Sequence, residues 1–197
     1  MTSSTIPMLD PLDGFQYEGP SGLIICPSPD HARFSLQCSD KNRAAASRIL
    51  GRPLPESVSA MWGDPFDLEC LCLGPGEWQL CLPEEQVSDL KKRFDRARSD
   101  FPHSLVDISH RQAGVRIEGP GAALCLQSGC PLDLENRPDG WCTRTLLSRV
   151  PITLIRTAPD RFRIEVSLSQ APFVMEWLVA AARQQDAIAR LEAGGET

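Results

Sequence analysis

Within "VDISHRQ" stand Asp107, Ser109 and His110, the three residue types with which a hydrolase deprotonates a serine hydroxyl and attacks a carbonyl. A little further on, Cys125 and Cys130 could supply thiolate nucleophiles. The spacing argues against the serine chemistry. Triad members converge from separate loops, whereas on an extended segment Asp107 and Ser109 share one face and His110 takes the other. No G-x-S-x-G elbow accompanies the serine. The stretch reads instead as a loop leading into the strand "GVRIEG", with Asp107 and Ser109 bonding local backbone and His110 or Arg111 exposed. A small thiol hydrolase fares no better: Cys125 falls mid-helix among apolar neighbours, away from the helix N-terminus or basic company that activates a thiol. No catalytic residue is assigned.

Phosphate and metal chemistry leave equally little. Gly119, Pro120 and Gly121 precede a helix, but the Lys-Ser/Thr ending of a phosphate loop is missing and the spacing is not G-x-G-x-x-G, so helix capping accounts for them. His31 and His103 have no partner at ligand spacing, and none of the eight cysteines forms a C-x-x-C pair. Glu84 and Glu85 open a helix, where negative charge suits the dipole. No cofactor-binding or metal-binding residue is assigned.

The chain has 197 residues and a formal net charge of -6, with a pI near 5.1. It therefore has no basic surplus for nucleic acid or for an anionic membrane surface. No apolar run approaches the roughly 20 residues that cross a bilayer, since "FVMEWLVAAA" is interrupted by Glu176. The first 22 residues, rich in Pro, Gly, Ser and Asp, lack a basic start and an apolar stretch. They are expected to form a flexible arm of a cytoplasmic protein, its cysteines reduced and acting as small core residues.

The elements that would carry these residues come in two copies. "RFSLQCSDKNRAAASRILGRPLP" lays over "GVRIEGPGAALCLQSGCPLD", and "LECLCLGPGEWQLCLP" lays over "ITLIRTAPDRFRIEVS". Each hairpin is followed by an amphipathic helix. One carries Val87, Leu90 and Phe94; the other carries Phe173, Val174, Trp177, Leu178 and Ala181, continues to Ile188 and Leu191, and ends at Gly194 and Gly195. The pattern predicts an α+β domain over 23–197, built from pseudo-twofold strand-helix-hairpin-helix halves at about 23–100 and 101–197, each with an antiparallel sheet.

Treating "GPGE" as a four-residue loop sets Leu73 opposite Trp78 and Leu71 opposite Leu80, all on one face. Cys70, Cys72, Gln79 and Cys81 then form the other, nearly uncharged face, whereas its counterpart in the second half carries Arg156, Arg163 and Glu165. Such a back needs a cover, supplied by the arm or by another protein. Arg144 in "CTRTLL" shares a face with Cys142 and Leu146, an apolar neighbourhood in which a guanidinium reaches for a carboxylate or a partner.

"VDISHRQAGVRIEGPGAALCLQSGCPLDL", "CTRTLL", "ITLIRTAPDRFRIEV", "APFVMEWL" and "LGPGEWQL" together resemble the gamma subunits of bacterial heterotetrameric sarcosine oxidases. More distantly, the D-x-S, the G-P-x-A and the duplicated layout are similar to the folate-binding fold of glycine-cleavage T-proteins. The resemblance implies a non-catalytic subunit without a cofactor of its own, assembled with alpha, beta and delta subunits and mainly with alpha. Those partners would carry FAD, FMN, NAD, tetrahydrofolate and zinc. The complex would demethylate sarcosine to glycine, pass the C1 unit to tetrahydrofolate and form hydrogen peroxide. Asp107, His110, Arg111 and Arg144 are expected near the alpha subunit, with Cys70, Cys72 and Cys81 as further interface candidates. The alternative is a stand-alone folate-binding protein of the T-protein superfamily. Its iron–sulfur branch carries a K-G-C-Y-x-G-Q signature that this sequence lacks.

Overall fold

The computed structural model describes the backbone of residues 11–194 and the side chains of residues 11–191. Phe162, Ile164 and Val166 alternate with Arg163 and Glu165 along one strand, and all five are buried. A period of two that buries both faces calls for cover on both sides of the sheet, and the architecture provides it.

The first half runs β1 (Tyr17–Glu18), β2 (Ile24–Pro27), β3 (Ala32–Cys38), α1 (Arg43–Leu50), β4 (Met61–Trp62), β5 (Glu69–Gly74), β6 (Glu77–Leu82) and α2 (Glu84–Arg96). The second runs β7 (His103–Asp107), β8 (Gln112–Glu118), α3 (Ala122–Gln127), β9 (Trp141–Leu147), β10 (Val150–Ala158), β11 (Arg161–Ser167) and α4 (Ala171–Gly194). Two sheets result, in the orders β4-β5-β6-β3-β7 and β1-β2-β8-β11-β10-β9, and every pairing is antiparallel. The expected duplicated α+β layout is therefore present.

The leading strands are exchanged. β2 belongs to the first half yet pairs with β8, while β7 opens the second half yet pairs with β3. Each half thus completes the other's sheet.

Helices cover the outer faces. Ala46 and Leu50 of α1 and Leu90 and Phe94 of α2 pack on Phe34, Leu36, Cys70, Cys72, Trp78 and Leu80. Val174, Met175 and Leu178 of α4, spaced for one helical stripe, join Cys125 and Leu126 of α3 on Val115, Ile117, Leu154, Phe162 and Ile164. The stripe runs on to the buried Ala181, as expected, and to Ala182, and stops there: Ile188 and Leu191, expected to continue it, are exposed. Gly195 lies outside the described residues.

The inner faces meet each other. Leu71 of β5, Cys142 of β9 and Ile155 of β10 form a small third core between the sheets. Along that side the sheets are joined by a bridge between Ala60 and Trp141 and by the Cys142 N–H, which donates to the Ser59 carbonyl at 3.0 Å. At β8 the chain leaving β2 and the Arg33 side chain of the other sheet both come close, because a Cβ on Gly114 would stand 2.6 Å from Ser28 Cβ and 3.1 Å from Arg33 Nη2. Only glycine fits there.

Two expectations are corrected. In the first hairpin, Cys72 pairs with Trp78 and Gly74 with Glu77, so Leu73 is a bulge that shifts the strand by one residue. A one-residue shift exchanges faces: Leu71 turns inward, while Cys70 and Cys72 join Trp78 and Leu80 beneath the helices. The second hairpin carries the same irregularity between Arg156 and Ala158. The arm expected over residues 1–22 is likewise not free from Pro11 onward. Leu12 is buried in the second core, Phe15 and Tyr17 pack against it, and the Tyr17 hydroxyl donates to Asp186 at 2.6 Å. Three apolar side chains overcame the composition bias. Residues 1–10 lie outside the described ones.

Burial raises the Cys70 and Cys81 thiols well above their ordinary range and pushes Cys125 and Cys142 up to about 12. Only thiolates alkylate readily. Limited alkylation of the native chain near neutral pH, read by mass spectrometry, is expected to modify the half-buried Cys26 and Cys38 and to spare the six buried cysteines until the chain is unfolded. Early modification of Cys70 would contradict its place beneath the helices, and early modification of Cys81 its place between the sheets.

Candidate functional site

The apparent triad is spent on local structure. Ser109 Oγ donates to Asp107 Oδ1 at 2.7 Å and accepts the Arg33 backbone N–H at 3.0 Å. The Ser109 N–H also donates to Asp107, and Lys91 Nζ donates to the other carboxylate oxygen at 2.7 Å. Desolvation works to raise the Asp107 pKa, but the hydrogen bonds from Lys91 and Ser109 outweigh it and hold the carboxyl below its ordinary value. His110 lies on a short 3-10 turn, Ser109–Arg111, and is exposed. No described hydrogen bond links it to the serine, so the hydroxyl donates to a carboxylate and not to an imidazole.

The charges expected on the outer face of the second hairpin lie elsewhere. Arg163 and Glu165 point inward, between the sheets. Arg163 Nη1 reaches Glu69 of β5 at 3.1 Å, its Nη2 bonds the other Glu69 oxygen, and its Nε donates to Glu165 Oε1 at 2.8 Å. Arg33 of β3 donates from Nε to Glu165 Oε2 at 2.6 Å and from Nη1 to the His31 carbonyl at 3.0 Å. His31 places Nε2 3.3 Å from Glu165 Oε1 and Nδ1 2.9 Å from the Pro29 carbonyl. All five side chains are buried. Two guanidinium groups face two carboxylates, one of each from either half.

His31, Cys81 and Glu165 bring possible metal-ligand atoms within 4.8 Å of one another. They do not suit a cation. Both Glu165 oxygens already accept from arginines, and burial holds the Cys81 thiol protonated. A metal would have to displace a guanidinium and stand beside two fixed positive charges.

The sequence-based interface residues separate into groups. Cys70 and Cys72 lie under the helices and Cys81 lies between the sheets, all three buried within the chain. They do not share a face, and their covers are α1, α2 and the second sheet, not a partner. Asp107 faces α2 through Lys91, and His110 lies at a separate hollow with Ser28 and Glu84. Arg111 and Arg144 are brought together. Both line a groove of about 540 Å³ where the inner faces part, with Val106 and Ile108 on one wall and Thr145 and Thr153 on the other. Arg144 also meets both Glu77 oxygens, with Nη1 2.8 Å away, the carboxylate that its apolar setting called for. Hydrogen bonding to Arg144 outweighs burial and lowers the Glu77 pKa.

The buried charge cluster is what sequence reasoning missed. Its signal was single charges inside apolar strands, as in "LECLCL" and "RFRIEV". An exposed strand places charge at every second position, whereas Glu69 stands among Leu68, Leu71 and Leu73.

A duplicated two-sheet α+β frame, interlocked by exchanged strands and cross-linked by buried ion pairs, defines the class. The aminomethyltransferase T of the glycine cleavage system from Bartonella henselae shares this fold, with a TM-score of 0.58 over 81% of this chain and 48% of that one at 15% identity. No family model matches the sequence. Curated relatives do: sarcosine oxidase subunit gamma from Corynebacterium sp. strain U-96 is 32% identical over 140 residues, covering 70% of this chain and 67% of the relative. The same subunit from Corynebacterium sp. strain P-1 is 30% identical over 140 residues, with 70% and 68% covered. A chain of the heterotetrameric sarcosine oxidase from Corynebacterium sp. U-96, solved in complex with pyrrole 2-carboxylate, superposes with a TM-score of 0.78 at 26% identity, over 86% of this chain and 88% of that one. The chain belongs to the sarcosine oxidase subunit gamma family.

Burial alone would raise the Glu165 pKa, but Arg33, the His31 hydrogen bond and Arg163 more than offset it and hold the carboxyl far below the usual range. The native state therefore takes up this proton less readily than the unfolded chain does. The stability it contributes is complete above the unfolded carboxylate value of about 4.3 and is lost as pH falls below it. Glu165→Gln, which leaves Arg33 without its anion, is expected to cost about 3–5 kcal/mol at neutral pH. Denaturant melts between pH 5 and 2, the window in which that contribution is lost, should also decline less steeply for this variant than for the parent chain.

Proposed function

We infer that the chain is the gamma subunit of a heterotetrameric sarcosine oxidase and acts there as a structural subunit. The observation that carries this reading is the family relationship, in which identity and coverage point to subunit gamma and the fold points to a chain of the same complex. The described chemistry fits a non-catalytic role. Ser109 is bonded to an anion, the Cys125 and Cys142 thiols are buried and held up near 12, and the strongest charges neutralise one another inside the fold.

In this reading the partners are the alpha, beta and delta subunits, mainly alpha, and they hold FAD, FMN, NAD, tetrahydrofolate and zinc. The assembled complex oxidises the methyl group of sarcosine, releases glycine, transfers the C1 unit to tetrahydrofolate and reduces oxygen to hydrogen peroxide in the cytoplasm. Arg111 and Arg144 belong to the alpha contact, with Asp107 and His110 on its flank. No helix among the described residues is long and apolar enough to cross a membrane, which agrees with such a complex.

Affinity purification of the tagged chain from its own cells is the test. The expected eluate is yellow, contains two larger chains and one smaller one, and forms peroxide when sarcosine is added, whereas the chain purified alone forms none. A colourless chain eluting alone would overturn the subunit reading. It would move the weight to an independent folate-binding protein, decided by titration with tetrahydrofolate.

A further inference from the structure

The groove between the parted inner faces brings three features to one place: a strand edge, exposed apolar side chains and an unmatched charge. β7 pairs with β3 alone and ends its sheet. The Ile108 N–H donates to the Arg33 carbonyl at 2.8 Å, so by alternation Ser104 and Val106 direct their main-chain groups to β3. Those of His103, Leu105 and Asp107 then point away from the sheet. The strand "HSLVD" has no lysine, proline or bulge, the usual guards of a free edge.

Val106, 48% exposed, lines the groove beside this edge. Leu146, 46% exposed, shares the inner-facing side of β9 with Arg144 and pairs with groove-lining Pro151. The other charges along the groove are matched, Arg144 by Glu77 and Glu165 by Arg33 and Arg163. Arg111 is exposed, and its side chain has no hydrogen bond or ion pair among the described residues. Among the charges lining the groove, Arg111 is therefore the one left unmatched.

We propose that β7 and the groove receive an extended segment of a partner subunit, which adds as a strand to β7, sets an apolar side chain against Val106, and pairs an Asp or Glu with Arg111. Main-chain bonds along the free edge supply affinity, and alternate side chains entering the groove supply selectivity. A carboxylate on the segment completes the charge that the groove leaves open. The proposal rests on the subunit reading and adds the surface and the chemistry of the segment.

The test uses the assembled complex. Hydrogen–deuterium exchange of His103, Leu105 and Asp107 is measured in the chain alone and in the complex. Binding of the chain to the remaining subunits is measured for Arg111→Glu, Val106→Asp and, as a control on the exposed side of α2, Glu85→Lys. Slower exchange at the three edge amides in the complex is expected, with about tenfold or greater weakening for Arg111→Glu and Val106→Asp and none for the control. Both groove positions are exposed, and equal thermal melts of the isolated variants show that folding is intact.

Unchanged exchange together with unchanged affinity would overturn the groove as the docking surface while leaving the subunit reading in place. Edge protection that appears in the isolated chain as its concentration rises would assign β7 to a second copy and overturn the partner segment. A parent chain that binds no other subunit would overturn the subunit reading, and the segment with it.

Discussion

Everything between the two sheets depends on four buried charges compensating one another: Arg33 and Arg163 against Glu69 and Glu165. Each is too costly to bury alone, and the desolvation of an unpaired ion would exceed what its strand gains by packing. The compensation also crosses the halves. Arg33 and Glu69 come from the first, Arg163 and Glu165 from the second. Either half by itself would present one arginine and one glutamate on a face otherwise made of Leu71 or Ile155, and would lack the strand that its counterpart supplies. The halves are therefore obliged to fold as one unit.

This arrangement departs from the symmetry of the repeat. With the two bulges aligned, Cys81 stands where Glu165 stands and Gln79 where Arg163 stands. The second hairpin carries the charges and the first presents small polar groups in their place. Had both copies carried the same pair, like charges would have met across the inner faces. Divergence at these positions lets one sheet lend Glu69 and Arg33 to the other. Gly114 of β8, which matches Arg33 of β3, leaves the room into which the Arg33 side chain extends.

Much of this was legible. The duplication, both hairpins, the helix stripes and the family were readable because they rest on periodicity and on motif order, which local sequence carries. The triad could be dismissed on spacing alone, and the contacts of Ser109 agree. The hairpin face was misread because one bulge at Leu73 reverses the orientation of Cys70, Leu71 and Cys72, and alternating Leu and Cys give no warning: both residue types are content on either face. Residues 11–22 were misread because Leu12, Phe15 and Tyr17 are sparse among Pro, Gly and Asp, yet each finds a place in the second core. The ion cluster escaped notice because its members lie far apart in the chain and only the stacking of the sheets brings them together.

The same cluster bears on where this fold can act. Facing sheets with a polar interior offer an obvious place to enclose a small ligand, but here the middle is filled by guanidinium–carboxylate pairs and closed by Leu71, Cys142 and Ile155. Their hydrogen-bonding capacity is taken up within the protein, so a ligand entering there would have to replace charge-assisted bonds with weaker ones. Free groups lie at the margins: on one side the sheets part beyond the last ion pair and Arg111, Val106 and Leu146 face solvent, and on another a hollow bordered by His31, Glu69 and Arg163 carries the exposed Phe66. A rim groove with a free strand edge suits recognition of another chain better than turnover of a small molecule. A charge-locked centre with its available groups at the margin agrees with the subunit role proposed for this chain.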